Sequence, residues 1–321
     1  MAYNAPGKHY REGITLLELQ RMFPDEETAQ KWFENAVWPD GEPHCPRCGC
    51  NDTHKSTHKT MPYRCRPCKR FFSVKIGTVM QSAKVGYRTW VYAIYLEMTN
   101  LKGISSMKLH RDLGIRQDTA WFLQHRIREA FMQEFGQFSG PVEVDETYVG
   151  GLEKNKPNGK KANLGRGPSG KTAVVGMKDR ETNQVTAQVV DKTDADTLQG
   201  FVLDNALFGT ELYTDEHRAY SGLGYVYDHK TVKHSVSEYV NDQAHTNGME
   251  SFWSILKRAY HGVYHHMSPK HLHRYVNQFC GKHNLREMST MQQMEHVVAG
   301  MVGKRLLYRN LTAKTPAEVA V

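Results

Sequence analysis

Two sets of side chains in this 321-residue chain have the types and spacing to do chemistry. The first is Cys45-Pro46-Arg47-Cys48 followed, sixteen residues on, by Cys65-Arg66-Pro67-Cys68. Two thiolates in one tight turn can reach a single tetrahedral Zn2+, and a second such turn closes the site. Four thiolates leave no open position, so this zinc is structural. Cys50 reads as a bystander thiol, with His44, His54 and His58 as rival ligands. The second set is Asp145, Asp215 and Glu250. Hard divalent cations take oxygen ligands, and phosphodiester cleavage by two Mg2+ ions needs clustered carboxylates. Taken singly, each of these acids also fits an ordinary surface group or cap.

Composition narrows the context. The formal charge is +8 and the isoelectric point is near 9.0, a weak pointer to a polyanionic partner. Five of the six cysteines lie between Cys45 and Cys68, which favours metal over disulfides in a chain whose start carries no signal-type apolar stretch. No apolar run approaches the roughly 20 residues that cross a bilayer. The expectation is therefore a cytoplasmic protein without a membrane partner. At roughly 100–200 residues per domain, the length suggests two or three domains.

The elements that must position these groups can be read from periodicity. Residues 15–22 and 25–37 read as two short helices with Thr15 and Asp25 as N-caps, assigned a packing role. The segment 43–75 carries eight basic residues against Asp52 alone, with Tyr63, Phe71 and Phe72 interleaved. Its Arg47, Arg66, Lys69 and Arg70 suit phosphate contact, although the same composition fits a zinc-stapled fold with solvated lysines. Residues 87–135 have a helical period. A short helix, the turn Leu113-Gly114-Ile115 and a longer helix over 117–135 make a helix-turn-helix pattern, which a plain three-helix bundle would also give. Arg116, Gln117, Thr119, Gln124 and Arg128 are its expected DNA-facing residues.

After Pro141 the texture changes. Strands are predicted at 142–149, 172–177, 184–190 and 211–215, and helices at 194–207 and 248–260, a mixed α/β layer with acids at strand ends. The loop from Lys154 to Lys171, including Lys160 and Lys161, holds six basic residues and no acid. Glu143 should share a strand face with Asp145, as an outer acid, whereas Glu146 and Glu216 should point away from the site. Phe252 and Trp253 should pack the late helix on the sheet. The histidines at 261, 265, 266, 271 and 273 match no strong zinc template, and the tail from Arg286 suggests packing or a dimer contact.

The motifs Val-Asp-Glu-Thr-Tyr-Val-Gly-Gly at 144–151, Tyr-Thr-Asp-Glu at 213–216 and His-Thr-Asn-Gly-Met-Glu-Ser-Phe-Trp-Ser-Ile-Leu-Lys-Arg at 245–258 together resemble the DDE transposases of bacterial insertion sequences, of the ISXO type. Asp215 and Glu250 are 35 positions apart, and Lys257 stands seven after Glu250, both typical of that family. The resemblance covers roughly 38–284, since the family also carries a four-cysteine ribbon and a helical DNA-binding segment in this order.

It implies an α/β, RNase H-like domain over 140–284, after N-terminal helices (1–40), a zinc ribbon (41–80) and a helix-turn-helix-like segment (81–139), with a tail at 285–321. It implies that Asp145, Asp215 and Glu250 bind two Mg2+ ions, with Mn2+ as a substitute. Lys257 and Arg258 would contact DNA. The activity would be cleavage at element ends and 3′-hydroxyl strand transfer into target DNA by a homo-oligomer acting at the bacterial nucleoid. Some relatives place an Asn third, and Asn247 lies one helical turn before Glu250. His245 is a candidate supporting residue. Two other readings stay open: a zinc-ribbon regulator with an inert α/β domain, and a repair or junction nuclease on the same scaffold.

Overall fold

The computed structural model describes residues 3–4, 12–132, 136–151, 158–161, 170–232 and 246–313. It forms two compact units, one from 1–133 with 285–321 and the other from 134–284.

The first unit opens with the antiparallel pair β1 (Tyr3–Asn4) and β2 (Glu12–Gly13). Helix α1 (Leu16–Met22) starts at a capping box in which Thr15 and Glu18 satisfy each other's backbone donors, and α2 (Glu26–Val37) starts at Asp25. Three short antiparallel strands follow: β3 (Thr53–Lys55), β4 (Tyr63–Cys65) and β5 (Phe71–Phe72). Trp38 packs edge-on against Tyr63, 5.5 Å between ring centres, and also against Phe72. The aromatics are thus the small core of the cysteine-bearing sheet, and α2 is joined to it. Helices α3 (Tyr87–Thr99), α4 (Ser106–Leu113) and α5 (Gln117–Ala130) then stack, with Gly114 at φ 63° making the left-handed turn that ends α4. The predicted third helix therefore stops five residues early, where Lys304 donates to the carbonyl of Glu129. The tail is not a loose end. Helix α9 (Thr290–Ala299) inserts Met294, Val297 and Val298 into the same core as Trp90 and Ile94, and α10 (Tyr308–Thr312) sets Tyr308 against Trp121 and Phe122.

The second unit is a five-stranded mixed sheet in the order β10-β9-β6-β7-β8. Strands β6 (Val142–Val149), β7 (Thr172–Asp179) and β8 (Val185–Val190) are antiparallel neighbours. After α6 (Ala195–Asn205), β9 (Glu211–Asp215) adds parallel to β6 on its other side, and β10 (Asp228–Val232) adds parallel to β9. Helices α7 (Asn247–Ala259) and α8 (Pro269–Asn284) complete the unit. This is the RNase H-like mixed sheet that the motifs implied. Strand alternation divides its core in two. Ala173, Val175 and Met177 of β7 face α6, together with Val142, Val144, Leu198 and Phe201. Val174 faces the other way, with Met249, Phe252, Trp253, Leu256 and Val276 of α7 and α8. Phe252 and Trp253 pack as expected. β10 and α8 were not foreseen: the polar sequence of β10 carries little apolar periodicity, whereas α8 does hold a helical stripe of Leu272, Tyr275, Val276, Phe279 and Cys280 that its histidines obscured.

At Gly176, α7 packs closely on the sheet. This glycine pairs with Asp145 across the ladder, and a Cβ there would lie 2.5 Å from Met249 Cε and 2.7 Å from the Trp253 ring. Gly176→Ala should therefore lift α7 and cost about 1–3 kcal/mol by overpacking. A thermal unfolding midpoint unchanged from wild type would show that α7 does not rest on this residue.

Candidate functional site

The parallel register between β6 and β9 assembles the acidic site. Val142 stands beside Leu212 and Glu143 beside Tyr213, and the same register carried two residues further sets Asp145 level with Asp215. The two acids thus stand level on neighbouring strands, Asp145 midway along β6 and Asp215 at the end of β9, although 70 positions separate them. Side-chain oxygens of Asp145, Glu146 and Asp215 all lie within 4.8 Å of one another. An ion with metal–oxygen bonds of about 2.0–2.6 Å can bridge oxygens at such separations, so this donor set fits Mg2+ or a similar hard cation.

Glu146 corrects the sequence reading, which turned it away from the site. Alternation does put it on the face opposite Asp145, toward the buried Tyr220. β9 ends here, however, while β6 runs on to Val149, and Asp215 at the tip of β9 is reached from both faces. Glu216 is exposed and outside the group.

Crowding and burial leave an electrostatic mark. Burial, and then the neighbouring charges of Asp215 and Glu250, push the Asp145 carboxyl up to about 6. Burial and the Asp215 charge push Glu146 up to about 8. The Tyr220 phenol is raised as well, by burial and then by Glu146. The Tyr220 hydroxyl, the Trp253 indole N–H and one Glu146 oxygen are buried without a well-formed hydrogen bond. These are the conditions in which carboxylates gain from a cation.

Helix α7 supplies the facing wall. Met249, Phe252, Trp253, Leu256 and Ala259 bury one stripe. Glu250, Ser254, Lys257, Arg258 and His261, at helical spacing on the other, line an open cleft with Asp145 and Glu146. Glu250 is thus close enough to raise Asp145, yet its carboxylate lies outside the 4.8 Å group. Asn247 is exposed on the first turn of α7 and is not among the residues lining the cleft. His245 lies outside the described residues.

The four cysteines of the ribbon converge. Sulfur atoms of Cys45, Cys48, Cys65 and Cys68 are mutually within 4.8 Å, with Cys48 and Cys65 3.7 Å apart. Tetrahedral Zn–S bonds of about 2.3 Å require sulfurs about 3.8 Å apart, so the set fits zinc. Hydrogen bonding among the thiols, Cys68 first, pulls Cys48 down to about 7, while the bond with Cys48 and then burial push Cys68 up to about 12. Cys50 is outside the set, as expected.

The basic surface divides. Arg47, Arg66, Lys69 and Arg70 are exposed around the cysteine turns, with Arg66 near Asp52 at 3.4 Å. Arg116 and Gln117 are exposed at the start of α5 and Thr119 is half-buried. Arg128 is a correction. It is 0% exposed, as Gln124 nearly is, and Gln124 donates to Glu97 and to the Ile104 carbonyl. Both follow Ala120 at steps of four, on the face that packs into the core, so neither is on a DNA-facing surface of this unit. Lys161 is described and bonds Asn158, whereas the Lys160 side chain lies outside the described residues.

Two measurements probe these centres. The raised carboxyls hold their protons in the folded chain at pH values where an unfolded chain has released them. The metal-free protein should therefore lose stability as pH rises from about 5 to 8, and Mn2+ affinity should rise over the same window as protons are displaced. An affinity flat with pH would remove the case for crowding, and Glu146→Gln should flatten the upper part of the dependence. Elemental analysis should find one zinc per chain, lost in Cys45→Ser and Cys68→Ser and retained in Cys50→Ser. Equal zinc in all of these variants would refute the ribbon site.

Comparison with known proteins agrees with this geometry. Residues 137–284 match the ISXO2-like transposase domain, and residues 24–70 match the transposase zinc-ribbon domain, which extends back over α2. The chain is also 26% identical over 250 residues, 74% of its own length and 84% of the relative's, to an uncharacterized protein in transposable element ISH50 of Halobacterium salinarum. That relative is archaeal, so the bacterial attribution drawn from the motifs is not carried over. Both domains are thus matched in the order ribbon then acidic fold: the chain carries a transposase zinc-ribbon domain followed by an ISXO2-like transposase domain, which supports transposase function.

Proposed function

We propose that the chain cuts DNA at the ends of an insertion element and joins the freed 3′ ends to target DNA, using two Mg2+ ions, or Mn2+, held by Asp145, Asp215 and Glu250. The observation that carries this reading is the in-register approach of Asp145 and Asp215 beneath the face of α7 that bears Glu250 and Lys257. When bound, the divalent ions activate the attacking oxygen and stabilise the departing one. Asp145 and Asp215 would hold the ions, with Glu146 beside them. Glu250 reaches the site from α7 as the DNA fills the cleft, a role the exposed Asn247 is less well placed to take. Lys257 and Arg258, seven and eight residues after Glu250 and so about two helical turns on, meet the phosphates flanking the scissile bond. Water is the first nucleophile and displaces a 3′ oxygen. That 3′-hydroxyl then attacks a phosphodiester of the target, joining its 5′ phosphate and displacing the target's own 3′ oxygen, which leaves as a hydroxyl.

In the same reading, the zinc-held ribbon and the start of α5 grip double-stranded element ends through Arg47, Arg66, Lys69, Arg70, Arg116, Gln117 and Thr119. The basic loop with Lys160 and Lys161 follows the backbone. Two ends must be brought together, so the active species is a homo-oligomer. No helix among the described residues is long and apolar enough to cross a membrane, and the work is assigned to the cytoplasm.

Labelled element ends with Mg2+ provide the test. Asp145→Ala and Asp215→Ala should each lower cutting by at least about 10³-fold, with end binding within about threefold of wild type. Glu250→Gln should be far more damaging than Asn247→Ala, and the reverse order would move the third ligand to Asn247. Cleavage without joined products in the wild type would make the chain a nuclease. Binding without cleavage would make it a regulator.

A further inference from the structure

Helix α7 carries the wall of the active cleft, yet its own sequence does not cap it. The N-cap is Thr246, with φ −112° and ψ 18°, and its side chain makes no capping hydrogen bond. The missing acceptor comes from 106 residues away. Glu143, on β6, accepts a hydrogen bond at Oε2 from the backbone N–H of Met249, at 3.1 Å. Its Oε1 accepts from Arg180 Nε at 2.9 Å. Glu143 is 2% exposed, so its carboxylate is held by protein groups and not by solvent. Gly248 makes the approach possible, since a Cβ there would lie 2.7 Å from Glu143 Oε2. Arg180 in turn lies over the Tyr213 ring, 3.9 Å from its centre, two residues before Asp215 on β9.

Glu143 and Asp145 share one face of β6, and Met249 is adjacent to Glu250. We infer that Glu143 is a positioning residue: it caps α7 from the neighbouring strand, holds the first turn of that helix against β6, and thereby sets the separation between Asp145 and Glu250. A carboxylate at a helix N-terminus also complements the helix dipole. This extends the carboxylate assignment proposed above, and its consequence for metal binding rests on that assignment. The contact to α7 does not.

The test uses the full chain loaded with zinc, with Mn2+ as the probe. Hydrogen exchange over 247–252 reads the cap, and Mn2+ titration by calorimetry reads the positioning. Glu143→Ala should speed exchange in that segment by tenfold or more and weaken Mn2+ by about fivefold to tenfold. Glu143→Gln, which keeps an acceptor oxygen, should stay within threefold of wild type in both. Gly248→Ala should reproduce the alanine defect with Glu143 still present, although alanine favours helix more than glycine does. Zinc content and binding to DNA ends should be unchanged in all three. Unaltered exchange in Glu143→Ala, or equal losses in the Ala and Gln variants, would overturn the inference. So would unaltered Mn2+ affinity in Glu143→Ala while Asp145→Ala abolishes binding. If Asp145→Ala itself leaves Mn2+ binding intact, the metal assignment fails instead, and exchange alone decides the cap.

Discussion

Three carboxylates crowd together where β9 ends beside β6, and the fold of the second unit holds them there. Asp145, Glu146 and Asp215 share a space in which not all three are comfortably charged without a cation. Nothing local holds them there. The antiparallel ladder between β6 and β7 and the parallel contact between β6 and β9 fix the strand ends. Apolar cores on both faces resist any relaxation that would let the acids part. The crowding is kept because β6 is paired on both sides of Asp145 and Glu146, and a divalent ion would convert it into affinity.

The second wall of the cleft obeys a different constraint. A helix must cover the sheet closely enough for its polar face to reach Asp145, while its apolar stripe stays dry. Gly176 gives the clearance below Met249 and Trp253. Glu143 gives the first turn an acceptor it lacks. The acids, the close-approach glycine and the cap lie within a few residues of one another in the β6–β7 ladder, so the site and the support of α7 are one construction.

The first unit solves a smaller problem by other means. Three strands of two or three residues cannot bury enough apolar surface to persist alone. Four sulfurs placed for zinc, and the aromatic contacts of Trp38 with Tyr63 and Phe72, take over that task. Exposed arginines and lysines then surround the cysteine turns on a rigid base, which suits contact with a phosphate backbone. Helix α9 joins this unit from beyond the second one, so the chain leaves and re-enters the first core.

The cysteine spacing, the separation of the acids and the helical phase of Glu250 and Lys257 were legible in the sequence because each is a local pattern of 2.0, 3.6 or fixed-interval spacing. The same periodicity placed Phe252 and Trp253 correctly on the buried stripe of α7. It failed at Arg128, whose charge suggested a surface while its helical position, four and eight residues after Gln124 and Ala120, led into the core. It failed at Glu146 too, because alternation describes a strand's own faces and not where its neighbour β9 ends. Strand pairing order, the clearance at Gly176 and the contact from Glu143 to Met249 join residues far apart in the chain. The residue types and intervals therefore determined which chemistry was available. Only the tertiary structure decided which acids meet and what holds them, since convergence depends on pairing and close packing between segments that no local pattern encodes.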